Sequence, residues 1–168
     1  MSGRLVIHNR QQSGSVNTSY LRRIVRHLLD QLWPDQPCTL GVYLLSSKEM
    51  TRLNETFVKH EGCTDVITFD YTETPDDNGK HTSSAGNGIN AEVFVCLDEA
   101  MRQARRFQTT WQSELARYII HGLLHLQGYD DATATKRRRM KREEDRWVTD
   151  TSRRFALSKL ATGSRISP

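Results

Sequence analysis

The order of strand-like and helix-like segments along the chain is the feature that most constrains its fold. Segments rich in alternating, β-branched or aromatic residues lie only in the first two thirds, at 4–8, 39–45, 65–71 and 92–97. The last third carries apolar residues at helical spacing only. This separation predicts an α+β fold, in which a small mixed sheet of about four strands packs with about five helices in a single domain.

Five segments carry the helical pattern, at 17–32, 46–57, 98–107, 115–126 and 133–155. In the second of them Ser46 and Glu49 form a capping box, and Asp98 is placed to cap the third. The strands at 65–71 and 92–97 flank one polar stretch, so we expect them to pair antiparallel.

The length of 168 residues suits one domain spanning 1–168, which can bury a core without disulfides or a structural metal. The stretch 72–90, TETPDDNGKHTSSAGNGIN, offers turn residues and little to bury, so it predicts a polar loop. The last residues, 161–168, are predicted to form a flexible tail for the same reason.

Apolar runs and cysteines bear on where the protein works. The apolar run near the start is too short for a signal peptide, and nowhere do eighteen apolar residues follow one another. Cys38, Cys63 and Cys96 form no C-x-x-C pair and are expected to be free thiols. We therefore expect a cytoplasmic protein with no membrane partner. The formal charge of +4 mildly favours polyanionic partners.

The segment HGLLHLQGYDD at 121–131 carries the most specific chemical signal. His121 and His125 are four residues apart in a helical pattern, which stacks both imidazoles on one face. Gly128 can take the left-handed conformation that ends a helix, so that the chain turns and Asp131 returns toward the histidines. Two imidazoles and a carboxylate bind one divalent metal ion and leave a position open for water.

Two other interpretations of this segment are open. Histidines also occur four apart by chance, and Asp130 or Asp131 could simply cap the next helix. Metallopeptidases of the H-E-x-x-H type share the histidine spacing, but they carry a glutamate directly after the first histidine. Here that position is Gly122, which disfavours a peptidase.

Basic residues are concentrated on either side of this segment. They lie before it at Arg102, Arg105 and Arg106, and after it at Lys136, Arg137, Arg138, Arg139, Lys141 and Arg142. Either group could line a track for RNA phosphates. The alternative is that both are solvated helix faces, the second partly neutralised by Glu143, Glu144 and Asp145.

The chain resembles the YbeY endoribonucleases, whose hallmark is H-G-x-L-H-L-x-G-Y-D-H. The residues that match it in register are His121, Gly122, Leu124, His125, Leu126, Gly128, Tyr129 and Asp130. Leu53-Asn54, the segment TDVITF at 64–69 and Ala91-Glu92-Val93 are similar to further family segments. Two positions depart from the pattern: Asp131 replaces the family's third histidine, and Val58 replaces an arginine that is common in the family and expected to hold RNA phosphate.

The resemblance implies the family's α+β fold and zinc-dependent cleavage of single-stranded RNA in rRNA maturation and ribosome quality control. The implied cofactor is one zinc ion held by His121, His125 and Asp131, and the implied partners are rRNA and the ribosome. No catalytic proton carrier is evident. Asp130 is a candidate helper, and Asp65 either orients a metal-binding histidine or caps a turn.

Three hypotheses from different classes therefore stand. The first is a metal-dependent endoribonuclease. The second is a non-catalytic factor that binds rRNA or the assembling ribosome, and the third is a metallohydrolase with a substrate other than RNA.

Overall fold

The structure, a computed structural model, describes residues 3–72 and 88–162. Its four strands are β1 Gly3–Asn9, β2 Cys38–Leu45, β3 Val66–Asp70 and β4 Ile89–Cys96. They form one sheet in the order β1-β2-β4-β3. The first three strands in that order are parallel, and β3 runs antiparallel to β4, as the sequence predicts. The mixed sheet of four strands is confirmed.

Five α-helices accompany the sheet: α1 Thr18–Leu32, α2 Ser47–Leu53, α3 Leu97–Phe107, α4 Trp111–Leu126 and α5 Ala134–Arg154. A π-helical turn, Asn54–Val58, extends α2, and a 3₁₀ turn, Leu157–Leu160, follows α5. The predicted α+β fold is therefore confirmed.

The helix α4 lies on the core face of the sheet and contacts β3, β4, α3 and α5. Leu115, Ile119 and Leu123 on this helix are fully buried. Gly122 permits the close approach of α4 to the sheet. A Cβ atom at this position would lie 3.0 Å from Thr68 Oγ1 and 3.1 Å from Val93 Cγ1. This contact sets the position of His121, the residue before Gly122, relative to the edge strand β3.

The predicted cap of the third helix is wrong. Helix α3 begins at Leu97, one residue before Asp98, and its N-cap residue Cys96 makes no side-chain capping bond. The Asp98 carboxylate instead accepts a hydrogen bond from the backbone N–H of Ser47 at 2.7 Å, and another from the Ser13 hydroxyl. Asp98 therefore stabilises the first turn of α2, in a distant part of the sequence.

Other predicted boundaries hold in part. Ser46 Oγ accepts the N–H of Glu49 at 3.3 Å, which confirms one half of the predicted capping box. Residues 73–87 and 163–168 lie outside the described residues, so the predicted loop at 72–90 and the tail at 161–168 stay predictions. Among the residues that the structure describes, no helix is both long enough and apolar enough to cross a bilayer.

Candidate metal centre

The turn that follows α4 brings a carboxylate back toward the two histidines. Helix α4 ends at Leu126, and Gly128 has a φ of +98°, in the region that favours glycine. Tyr129 N–H donates to the Leu124 carbonyl at 3.1 Å, so the chain folds back along the last turn of the helix. The role predicted for Gly128 is confirmed.

The side chains of His121 and His125 face each other through their Nε2 atoms, which are 3.1 Å apart. On the other side of each ring, Nδ1 meets an oxygen acceptor. His121 Nδ1 lies 2.8 Å from Glu144 Oε2, and His125 Nδ1 lies 3.0 Å from the Tyr129 carbonyl. With each Nδ1 donating, each Nε2 presents a lone pair. Two lone pairs at this separation repel each other unless they share a cation.

Asp131 completes the cluster. One ligand atom from each of His121, His125 and Asp131 lies within 4.8 Å of the others, an arrangement that could hold a metal ion. Asp131 is exposed, whereas the histidines are half-buried. The structure thus brings together the three residues that the sequence singles out, and an ion held by three ligands keeps a position open.

Glu144 is the functional residue that sequence reasoning missed. Its side chain is buried, and it accepts hydrogen bonds from His121 Nδ1 at 2.8 Å and from Arg117 at 2.7 Å. Burial alone raises the pKa of Glu144, but these hydrogen bonds outweigh it and the pKa is lowered. A carboxylate that holds the Nδ1–H of a metal-binding imidazole fixes the ring orientation and makes the ligand more basic.

The electrostatics of the cluster favour a cation. Burial alone lowers the pKa of His121, but Glu144, Asp65 and Asp131 together outweigh burial, and the pKa is raised. These three carboxylates therefore stabilise positive charge at the imidazole. The same field stabilises a divalent ion placed between the imidazoles and Asp131.

The other two predicted carboxylates differ in position. Asp65 shares a groove with the histidines. Its carboxylate accepts hydrogen bonds from Val66 N–H at 2.8 Å and from the Thr64 hydroxyl at 3.3 Å, contacts that fit a turn cap rather than the orientation of a histidine. Asp130 lies outside the cluster. It pairs with Lys136 at 2.9 Å and lines a separate pocket that neither histidine borders.

Two grooves meet at His121 and Asp131. The first, of about 720 Å³, runs along β3. The described residues that line it include Val58, Asp65 and His125 but no lysine or arginine. The second, of about 700 Å³, is lined from α5 by Arg137, Arg138, Lys141 and Arg142. The positive charge beside the cluster therefore comes from α5.

The remaining basic candidates lie elsewhere. Arg102, Arg105 and Arg106 on α3 line neither of the two grooves, and Arg102 pairs with Glu99 on its own helix. Arg139 lies over the Tyr129 ring, 5.4 Å from its centroid. Of the basic residues that the sequence singles out, Arg137, Arg138, Lys141 and Arg142 line the groove that meets the histidine cluster.

Comparison with known proteins decides the family. The family model of Endoribonuclease YbeY matches residues 6–152. The chain belongs to the YbeY family. It is 33% identical over 144 residues to the Endoribonuclease YbeY of Salinibacter ruber, covering 86% of this chain and 89% of the relative. It is 40% identical over 128 residues to that of Chlorobium phaeovibrioides, with coverage of 76% and 78%.

The fold has a counterpart of known structure. A solution structure of a protein from Thermotoga maritima superimposes with a TM-score of 0.61 at 22% identity, covering 98% of this chain and 100% of that protein. At this identity the likeness concerns the fold alone.

The two departures from the YbeY motif occupy defined places. Asp131, in the position of the third histidine, lies in the ligand cluster, so the substitution exchanges a neutral imidazole for a charged carboxylate. Val58 ends the π-helical turn and borders the first groove, 36% exposed. A YbeY arginine at this position would add the cation that this groove lacks.

Proposed function

We propose that this protein is a zinc-dependent endoribonuclease that cleaves single-stranded RNA and acts in rRNA maturation and ribosome quality control. The observation that carries the proposal is the pair of Nε2 atoms 3.1 Å apart, each ring oriented from behind by an oxygen acceptor, with Asp131 in reach. Imidazole and carboxylate ligands with one open position suit zinc in hydrolytic sites. Membership of the YbeY family supports RNA as the substrate.

In this proposal His121, His125 and Asp131 hold one zinc ion. When bound, the ion supplies Lewis-acid polarisation of a phosphoryl oxygen and activation of a water or of the RNA 2′-hydroxyl. The chain's own contribution is orientation. Glu144 and the Tyr129 carbonyl hold the two imidazoles as Nδ1–H tautomers, so both rings are preorganised before an ion binds.

Phosphate binding is assigned to the groove lined by α5. Lys141 forms a salt bridge with Asp145 at 3.1 Å, and Arg137 donates a hydrogen bond to the Asp131 carbonyl at 3.1 Å. In the described part of the chain, Arg138 and Arg142 form no ion pair with a carboxylate. These two guanidinium groups are therefore available to hold the RNA backbone beside the ion.

The test pairs metal content with RNA cleavage. Wild-type protein should contain about one zinc per chain and cleave single-stranded RNA in a chelator-sensitive manner. His125→Ala should lose both properties, and His8→Gln, a histidine on β1 outside the cluster, should keep both. Wild-type protein without bound metal would refute the ligand assignment.

The missing cation at Val58 favours one alternative, a factor that binds rRNA or the ribosome without cutting it. That alternative predicts salt-sensitive RNA association that survives His125→Ala, with no cleavage by the wild type. Metal-dependent hydrolysis of a peptide or a small phosphodiester, without preference for RNA, would instead identify a metallohydrolase of another kind. The cytoplasmic location stays a prediction.

A further inference from the structure

A second strongly basic groove lies between α1 and the end of α5, away from the histidine cluster. It encloses about 850 Å³, and its charged lining residues are Arg23, Arg26, Asp30, Arg154 and Lys159. Four cations thus face a single carboxylate. This groove is not evident from the sequence, because its cations are scattered over α1, the end of α5 and the 3₁₀ turn that follows.

The helices fix the position of these cations. Arg23, Arg26 and Asp30 recur at spacings of three and four residues, so they share one face of α1. Arg154 is the last residue of α5, and Lys159 lies in the 3₁₀ turn beyond it. Contacts between α1 and this turn keep the two walls of the groove together.

Aromatic rings form the floor and are covered by guanidinium groups. Arg23 lies 5.4 Å from the centroid of Tyr20, and Arg154 lies 6.0 Å from that of Phe155. Both rings are only 8% exposed. The His27 ring meets the Phe155 ring edge-on at 5.5 Å. The guanidinium groups are therefore held against buried rings, and the described lining of the groove exposes no large apolar side chain.

The described residues leave the positive charge of the groove largely unneutralised. Within residues 3–72 and 88–162, none of the four cations forms an ion pair with a carboxylate. A concave surface with an excess of one charge concentrates ligands of the opposite charge. A phosphate backbone binds mainly through charge, whereas most protein segments also bury large apolar side chains, and none of the large apolar side chains that line this groove is exposed.

We propose that this groove is an accessory binding site for the phosphate backbone of single-stranded RNA. The inference rests on the proposed function in taking RNA as the ligand. Arg154 lies ten residues beyond Glu144, about 15 Å farther along α5 at 1.5 Å per residue. The accessory site is thus separate from the histidine cluster, and it anchors a substrate by a part that is not cleaved.

The test measures binding without cleavage. A fluorescent single-stranded RNA of roughly 16 nucleotides, a length suited to one small domain, is titrated by anisotropy with chelator present. The groove variant is Arg26→Gln combined with Arg154→Gln. The control, Arg4→Gln with Arg153→Gln, removes the same charge from exposed positions outside the groove.

Each lost phosphate contact should lower the slope of log K against log salt concentration by about 0.7. Two contacts are then worth about 25-fold in affinity at 0.1 M salt, because each gives a factor of about five. The groove variant should show this loss and the control should not. Equal losses in both variants, or wild-type affinity in the groove variant, would overturn the proposal.

Three further outcomes separate the accessory site from the proposed function. Cleavage by the wild type, with no effect of the groove variant on binding, refutes the accessory site alone. Groove-dependent binding without cleavage refutes the nuclease and upholds the accessory site. Wild-type RNA binding by the groove variant, together with groove-dependent binding of polyglutamate, would replace RNA by an acidic protein segment as the occupant.

Discussion

Replacing Glu144 with glutamine tests whether this buried carboxylate orients a metal ligand. The change keeps the size of the side chain but removes the charge that accepts His121 Nδ1–H at 2.8 Å. Loss of a carboxylate that hydrogen-bonds to a metal-binding histidine typically weakens metal binding 10- to 100-fold. Arg117 keeps a partner, because it also pairs with Asp145 at 2.6 Å, so we expect the variant to fold.

The expected shift in stability follows from linkage. With free zinc at about 100 times the wild-type Kd, zinc stabilises the wild-type protein by about 2.7 kcal/mol. A 10- to 100-fold loss of affinity reduces this to about 1.4–0.4 kcal/mol at the same zinc concentration. For a chain of this size, zinc should raise the wild-type Tm by about 5–11 °C and that of Glu144→Gln by about 1–6 °C.

The assay is a pair of thermal melts, with zinc and with chelator, supported by competition against a chromophoric chelator. Asp145→Asn is the matched control, because Asp145 shares Arg117 and Lys141 with Glu144 but makes no contact with His121. A folded Glu144→Gln protein with wild-type zinc affinity would refute the orienting role. An equal loss in Asp145→Asn would assign the effect to general charge.

Three further predictions concern α5, the helix–sheet contact and Asp98. Combining Arg138→Gln with Arg142→Gln should raise the KM for RNA and leave zinc content unchanged, as steady-state kinetics and metal analysis would show. Gly122→Val should destabilise the fold by about 1–3 kcal/mol in urea unfolding, because the added methyl groups meet Val93 and Thr68. Burial raises the pKa of Asp98, but hydrogen bonds from Ser13 and Ser47 outweigh burial, and the pKa is lowered. Asp98 therefore contributes to stability above its pKa in the unfolded chain, and this contribution is lost as pH falls through its pKa in the folded protein. Asp98→Asn should therefore lower stability at neutral pH and flatten the acid limb of the stability profile.

The ligand cluster could be predicted because its signal is local. His121 and His125 lie on one helix, so their common face follows from helical spacing alone. Gly128 marks the turn, and Asp131 is only three residues farther on. The β3–β4 pairing was also local in this sense, since the two strands flank one connection. The parallel order of β1, β2 and β4 was not predicted, because it depends on contacts between distant segments.

Glu144 could not be assigned by the same reasoning. It reaches His121 across 23 residues, and the contact exists only because α5 packs against α4. One signal was available: Met140, Glu144 and Val148 recur every four residues, which places the carboxylate on the buried stripe of α5. A carboxylate on an apolar stripe requires a partner, and the nearby histidine motif supplies it.

The two basic groups illustrate the same limit. From the sequence, the α3 arginines and the basic run on α5 are equally good candidates to bind phosphate, since both lie close to the motif along the chain. Helix α5 borders His121 and Asp131, whereas the α3 arginines line neither groove there. The misplaced Asp98 cap has a similar cause, because a one-residue shift in the start of α3 turns the carboxylate toward α2.

The two departures from the YbeY motif are linked by charge. Asp65 and Asp131 line the groove along β3, whereas the third carboxylate at the cluster, Glu144, is paired with Arg117 at 2.7 Å. With valine in place of arginine at position 58, the described lining of this groove holds no lysine or arginine to offset these two carboxylates. Among the described residues, the groove that carries Arg138 and Arg142 is therefore the more favourable side for a phosphate to approach. Under the proposed function, α5 supplies the phosphate-binding charge that Val58 does not, and RNA is expected to enter across α5 toward the histidines.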